Sequence, residues 1–264
     1  MIRDYCLLCL AAALAGAVNS VAGGGTLLSF PVLFAVLARR DQSPGVASVV
    51  ANATSTVALF PGSLAAIWGY RRELQTAWGW VWLLTLPSLL GGLLGSCLLT
   101  SLPEEWFLWL VPWLILTAAL LFALQPLISR LTGIGRPHTK PGGSTLAGIV
   151  LFQFGVAIYG GYFGAGIGIL MLSALAMMGM ADIHVMNGLK SWLGSCINGV
   201  AVVVFIVGGR VDWPLALAMA VAGAIGGYGG ASIARKLNRN LVRRAVVAIG
   251  FSLAGWYFYQ QWSG

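Results

Sequence analysis

The stretch Asn187-Gly188-Leu189-Lys190-Ser191-Trp192, which continues to Ser195-Cys196-Ile197-Asn198, places one lysine inside a long apolar run. Lys190 is the only formal charge between His184 and Arg210. A lysine at the centre of a bilayer costs on the order of 2.5–3.5 kcal/mol on insertion scales, so such residues usually face a polar cavity or an anionic partner. The stretch therefore predicts a polar surface inside a membrane protein.

Polar residues recur along this stretch at helical spacing. Asn187, Lys190, Ser191 and Asn198 are three, four, and seven or eight residues apart, which places most of them on one helix face. We expect this face to line the path of a small anion and to bind it. The alternative is that Lys190 lies within a turn or two of the helix start and extends its ammonium to the membrane interface.

Composition defines the class of protein. The chain has 264 residues, of which 59% are hydrophobic and 8% charged, and its mean hydropathy is +0.88. Soluble domains are about 25% charged, so we predict an all-α, polytopic membrane protein with the lipid bilayer as its partner. The net charge of +8 does not indicate nucleic acid, because the basic residues fall in short loops and signal topology.

Cysteines and acids give no sign of a catalytic or metal site. All four cysteines lie in apolar segments, and the seven acids lie at segment ends. We therefore expect no enzyme, no cofactor and no metal ion. The coupling ion, a proton or sodium, and the formation of homo-oligomers stay open.

The chain repeats one plan twice. We divide it into a first membrane repeat, residues 1–128, a polar cytoplasmic linker, residues 129–144, and a second repeat, residues 145–264. Each repeat begins with a glycine-broken pair whose second segment is too short to span, followed by three spanning segments. Cleavage of the N-terminus as a signal peptide would remove part of a repeat, so we expect it to remain.

Loop charges favour inverted repeats. If each broken pair is a hairpin that returns to its starting side, each half crosses three times and the halves are oppositely oriented. The cations then divide ten inside to four outside, which follows the positive-inside rule. The inside group is Arg71, Arg72, Arg130, Arg136, Lys140, Arg235, Lys236, Arg239, Arg243 and Arg244, and the outside group is Arg3, Arg39, Arg40 and Arg210. If each pair crossed only once, one basic loop would lie outside.

The glycine breaks are candidate anion sites. A broken membrane helix is tolerated where its backbone faces protein or a wet cavity, and a helix that starts there presents free N–H groups and a positive dipole end. The candidates are Gly23, Gly24 and Gly25 in the first half and Gly164, Gly166 and Gly168 in the second. The alternative is that these glycines only allow close helix packing, which is our reading of Gly91-x-x-x-Gly95, Gly223-x-x-x-Gly227 and Gly226-x-x-x-Gly230.

The first half carries its own polar face at the position equivalent to the Lys190 face. It consists of Asn52, Thr54, Ser55 and Thr56, and Asn19 and Ser20 precede the first glycine break. We expect Asn52, Thr54, Ser55 and Asn19 to contact the anion. The alternative is that these amides and hydroxyls bond within the helix bundle.

These motifs, in order and spacing, resemble the TauE/SafE family of sulfite exporters and toluene-sulfonate uptake permeases. The first half contributes Ala22-Gly23-Gly24-Gly25-Thr26-Leu27, Ala51-Asn52-Ala53-Thr54-Ser55 and Tyr70-Arg71-Arg72-Glu73-Leu74; the second contributes Tyr162-Phe163-Gly164-Ala165-Gly166-Ile167-Gly168, Gly188-Leu189-Lys190, Ile197-Asn198 and Val211-Asp212-Trp213. The resemblance covers nearly the whole chain. It implies a two-repeat, multi-pass carrier of the cell inner membrane, with small sulfur-containing or organic anions as substrates.

We therefore expect a secondary transporter that moves a small anion by alternating access, with sulfite, organosulfonates, related sulfur oxyanions or organic acids as substrates. Lys190 would supply the charge, and helix ends and polar side chains would orient the anion. The alternative function is an anion channel of the same architecture.

Overall fold

A computed structural model of the chain describes residues 2–22, 24–40, 43–131, 143–177, 180, 182–234 and 239–263. Eleven α-helices form the regular structure of these ranges, which contain no strand, so the all-α prediction is confirmed. Gly23 and residues 132–142, most of the predicted linker, lie outside the described residues. The helices are α1 (Ile2–Ala22), α2 (Thr26–Leu37), α3 (Pro44–Gly69), α4 (Arg71–Gln75), α5 (Trp78–Ser101), α6 (Glu104–Leu131), α7 (Gly143–Tyr162), α8 (Ile167–Met177), α9 (Ile183–Val207), α10 (Trp213–Ala234) and α11 (Arg239–Ser263).

The outer surface of the bundle is apolar. Trp82 is 72% exposed, Leu151 69% and Ile225 68%, which suits contact with lipid. Among the described residues, four helical stretches are long and apolar enough to cross a membrane: Pro44–Gly69, Trp78–Ser101, Glu104–Leu124 and His184–Val207. The 12-residue α2 reaches only about 18 Å at 1.5 Å per residue, well short of a bilayer core of about 30 Å.

Two pairs of packed helices run in opposite directions. In α3 and α9, Phe60 lies against Gly199, whereas Tyr70 lies against Gly188, so the residue numbers decrease along one helix as they increase along the other. The helices α6 and α11 cross in the same opposed sense. Their contacts join Trp113 to Phe258 and Ala119 to Gly250.

Helices from the first half of the chain also pack against helices from the second half. Helix α1 packs on α10, and α7, its counterpart in the second half, packs on α5. Both contacts depend on small residues, because a Cβ at Gly226 would overlap the carbonyl oxygen of Ala13 and one at Gly95 would overlap that of Ile158. The packing role predicted for these glycine stripes is confirmed at these two positions.

Three buried phenylalanines form the centre of one end of the bundle. The rings of Phe30 and Phe163 are 5.5 Å apart and those of Phe107 and Phe163 are 6.3 Å apart. Each side chain is at most 1% exposed. Phe163 directly precedes Gly164, and Phe107 lies three residues after Glu104. The cluster therefore separates the second glycine break from the start of α6.

Candidate functional site

A polar cavity of about 80 Å³ lies between the two halves. It is enclosed by α1, α2, α3, α8 and α9 together with both glycine breaks. Its polar and glycine lining consists of Asn19, Gly24, Thr26, Thr56, Ser63, Gly164, Gly168, Lys190, Ser191, Gly194, Ser195 and Asn198. A cavity of this size holds several waters or one small ion.

Lys190 gives the cavity its charge. The residue is half-buried, and among the described residues its ammonium group makes no ion pair. None of the described residues that line the cavity is a carboxylate. In a partly dehydrated setting an uncompensated positive charge attracts an anion strongly, because the effective dielectric constant is below that of water. The cavity is therefore electrostatically suited to an anion.

The first glycine break presents a helix start to this cavity. Gly25 is the residue before α2, and no side chain caps the helix start. The backbone N–H groups of Leu27 and Leu28 donate to the carbonyl oxygens of Gly24 and Gly25. Gly24 and Thr26 both line the cavity. The positive end of the helix dipole favours a negative ligand at this position.

The second glycine break presents the start of α8. Gly164 and Gly166 adopt φ values of 81° and 79°, which residues with a Cβ rarely adopt. The hydroxyl of Tyr159 donates to the carbonyl oxygen of Ala165 at 2.8 Å and holds the turn in place. Because Gly164 and Gly168 line the same cavity as Gly24, helix starts from both halves converge on one site.

The polar face of α3 has a different surrounding. The amide nitrogen of Asn52 donates to the carbonyl oxygen of Tyr162 at 3.1 Å, and Asn52 is 1% exposed. Thr54 Oγ1 accepts from the backbone N–H of Asp212 at 3.0 Å. Ser55 and Ser29 share a hydrogen bond of 2.6 Å. Asn52, Thr54 and Ser55 are not part of the cavity lining and instead bond neighbouring segments.

The structure therefore brings together seven of the residues that the sequence suggested for binding: Asn19, Gly24, Gly164, Gly168, Lys190, Ser191 and Asn198. Gly25, Gly166 and Asn187 do not line the cavity, and Gly23 lies outside the described residues. Participation of any of these residues in binding stays a prediction.

Four further hydroxyls line the cavity: Thr26, Thr56, Ser63 and Ser195. Thr26 follows the first glycine break directly, and Thr56 and Ser63 are seven residues apart, two turns of one helix. Ser195 is four residues from Ser191 and three from Asn198, so helical spacing alone could have pointed to it.

A second cavity, of about 390 Å³, lies between α2, α6 and α11. Its lining combines Glu105 with apolar and aromatic side chains such as Trp109 and Tyr257 and contains no cation. A carboxylate repels anions, so the smaller cavity is the better anion site. Among the described residues, no group of three or more His, Cys, Asp or Glu side chains could hold a metal ion.

A helical membrane bundle that surrounds a small polar cavity is the architecture of a membrane transport protein. Residues 8–257 match the family model described as "Sulfite exporter TauE/SafE". The chain belongs to this family, which agrees with the resemblance seen in its motifs. No solved structure matches the chain.

Curated relatives from three bacteria match over nearly their whole length. A "Probable membrane transporter protein" from Haemophilus influenzae is 25% identical over 92% of this chain and 90% of the relative. "Probable membrane transporter protein YfcA" from Escherichia coli K12 is 24% identical over 94% and 87%. "Probable membrane transporter protein ORF9" from a Sinorhizobium species is 26% identical over 92% and 88%.

Proposed function

We propose that this chain is a secondary transporter that carries a small anion, namely sulfite, an organosulfonate, or a related sulfur oxyanion or organic acid, across the cell inner membrane by alternating access. One observation carries the proposal: the cavity between the halves contains Lys190, two helix starts and no carboxylate. A bound anion would pair with the ammonium group and accept hydrogen bonds from backbone N–H groups and nearby hydroxyls. The family description supports sulfur oxyanions as the first substrates to test.

Alternating access is supported by the unequal ends of the bundle. The cavity residues on α3 extend to Ala66, one turn before the end of that helix, where Arg71 follows. At the opposite end, Arg40 pairs with Asp212 at 3.2 Å and Arg210 pairs with Glu104 at 2.8 Å. Each pair joins the first half to the second. We interpret the structure as open toward Arg71 and closed beyond the Phe30, Phe107 and Phe163 cluster.

Inverted repeats would provide the second state. The opposed directions of α3 and α9 and of α6 and α11, and the exchanged pairs α1–α10 and α7–α5, support the inverted arrangement and the division at residues 129–144. Exchanging the conformations of the two halves would close the Arg71 end and separate the two ion pairs. The positive-inside rule would place Arg71 and Arg72 in the cytoplasm, so the structure would face inward.

Uptake into proteoliposomes tests the proposal. Labelled sulfite, sulfate and methanesulfonate are presented to the full chain and to Lys190→Ala at equal reconstituted amounts. We expect saturable uptake of at least one sulfur oxyanion by the parent and its near loss in the variant. Uptake that is unchanged in Lys190→Ala would reject the proposed site.

The same vesicles distinguish a carrier from a channel. A carrier exchanges labelled for unlabelled anion across the membrane and saturates. Anion currents that do not saturate and show no such exchange would replace the transporter proposal with the channel alternative.

A further inference from the structure

Buried serine and threonine hydroxyls in this bundle are almost all hydrogen-bonded. Within a helix such a hydroxyl usually donates to the carbonyl oxygen four residues earlier. Ser88, Ser96 and Ser173 do so at distances of 2.7–2.8 Å. Ser195 is equally buried, at 6% exposed, but its Oγ makes no hydrogen bond to any described residue.

The residue that carries the unbonded hydroxyl lines the cavity, and its Oγ atom is itself buried. Ser195 lines it together with Ser191, one turn earlier on α9, and Asn198, one turn later. Lys190 and Gly194 line it from the same helix. A buried hydroxyl without a partner is unfavourable, whereas a donor to an ionised acceptor makes one of the stronger hydrogen bonds in proteins.

We propose that the Ser195 hydroxyl is a specificity-determining donor to an oxygen of the transported anion. This inference rests on the proposed function, since it needs an anion beside Lys190. In this arrangement the ammonium group of Lys190 attracts the anion by its charge, and the hydroxyl of Ser195 orients the anion through a directional hydrogen bond. The site therefore prefers an anion with an oxygen acceptor at the Ser195 position. The other buried serines of the described residues already have partners, either in their own helix or on a neighbouring one.

A pair of isosteric variants isolates the hydroxyl. Thr and Val have nearly the same shape, so Ser195→Thr and Ser195→Val differ chiefly in one O–H group. The purified full chain is titrated with sulfite in anaerobic buffer and with methanesulfonate, and both the rise in Tm and the KM for uptake are measured. We expect Ser195→Thr to stay within about threefold of the parent KM and Ser195→Val to exceed it by about tenfold or more.

Stability without ligand separates this role from a structural one. Ser195→Ala removes a hydroxyl that has no protein partner, so its Tm without anion should equal or exceed that of the parent. Ser96→Ala is the matched control: it removes a bonded hydroxyl remote from the cavity, and should lower Tm while leaving the KM unchanged.

Two results would overturn the inference. If sulfite or methanesulfonate protects the parent and Ser195→Val equally, Ser195 is not a donor to the anion, although the proposed function stands. If neither anion protects or enters with the parent protein, the proposed function fails and this inference fails with it.

Discussion

Helices α3 and α9 pack against each other, and both are rich in polar residues. On α3, the amide nitrogen of Asn52 and the hydroxyls of Thr54 and Ser55 bond to segments elsewhere in the chain. On α9, Lys190 and Ser195 bond to no described residue and line the cavity. The comparison indicates that α3 uses Asn52, Thr54 and Ser55 to bond neighbouring segments and presents Thr56 and Ser63 to the cavity, whereas α9 presents its charged residue there.

The largest expected effect on uptake is at Lys190, where α3 and α9 differ most. Lys190→Met keeps the length of the side chain and removes the charge, so we expect uptake of sulfite to fall by roughly 100-fold or more. Lys190→Arg retains the charge and should keep measurable uptake. Equal uptake by the Met and Arg variants would mean that the charge does not contact the anion.

The next largest effects are expected at two asparagines, Asn198 on α9 and Asn52 on α3. Asn198→Ala should raise the KM for sulfite by about tenfold and leave Tm unchanged, because it removes a cavity amide. Asn52→Ala should lower the free energy of unfolding by about 1–3 kcal/mol, because the carbonyl oxygen of Tyr162 loses its buried donor. Thermal unfolding and uptake of both variants test the assignment, and a raised KM in Asn52→Ala at unchanged Tm would reverse it.

A smaller effect is expected at the Ser29–Ser55 bond. Ser55→Ala should reduce stability by about 1 kcal/mol, the usual contribution of one hydrogen bond, and should not alter the KM. Ser191→Ala, at the cavity, is the control and should not reduce stability. If Ser55→Ala and Ser191→Ala shift Tm by the same amount, the proposed difference between these two serines is wrong.

The smallest effect on stability is expected at the ion pairs. Glu104→Gln breaks the 2.8 Å contact with Arg210, and half-exposed pairs contribute only about 0.2–1 kcal/mol. Even so, we expect this change to favour the state open at the Arg210 end. In an Asn198→Cys background, Glu104→Gln should make alkylation by a membrane-impermeant reagent added from the Arg210 side several-fold faster. The adjacent change Glu105→Gln should leave the alkylation rate unchanged.

Much of the arrangement could be predicted from the sequence because it depends on local chemistry. A lysine in an apolar run and two glycine-rich breaks each restrict the backbone or the solvation around them, and the structure places Lys190, Gly24 and Gly164 at one cavity. The order of these motifs along the chain was enough to predict that they lie close together.

The roles of neutral polar residues could not be predicted in the same way. Whether Asn52 or Thr54 faces a ligand depends on Tyr162 and Asp212, which are more than 100 residues away in sequence. Ser195 shows the converse case, since it lines the cavity and its hydroxyl has no partner among the described residues, whereas the hydroxyl of Ser96 is bonded. Burial and bonding in three dimensions, rather than residue type, separate the two groups.

The aromatic cluster has a consequence for electrical behaviour. If water reaches Lys190 from the Arg71 end, most of the transmembrane voltage falls across the thin layer formed by Phe30, Phe107 and Phe163. One elementary charge moved through 100 mV corresponds to about 2.3 kcal/mol. We therefore expect membrane potential to act weakly on the loading of an anion from that end and strongly on the conformational step that transfers it past the three rings.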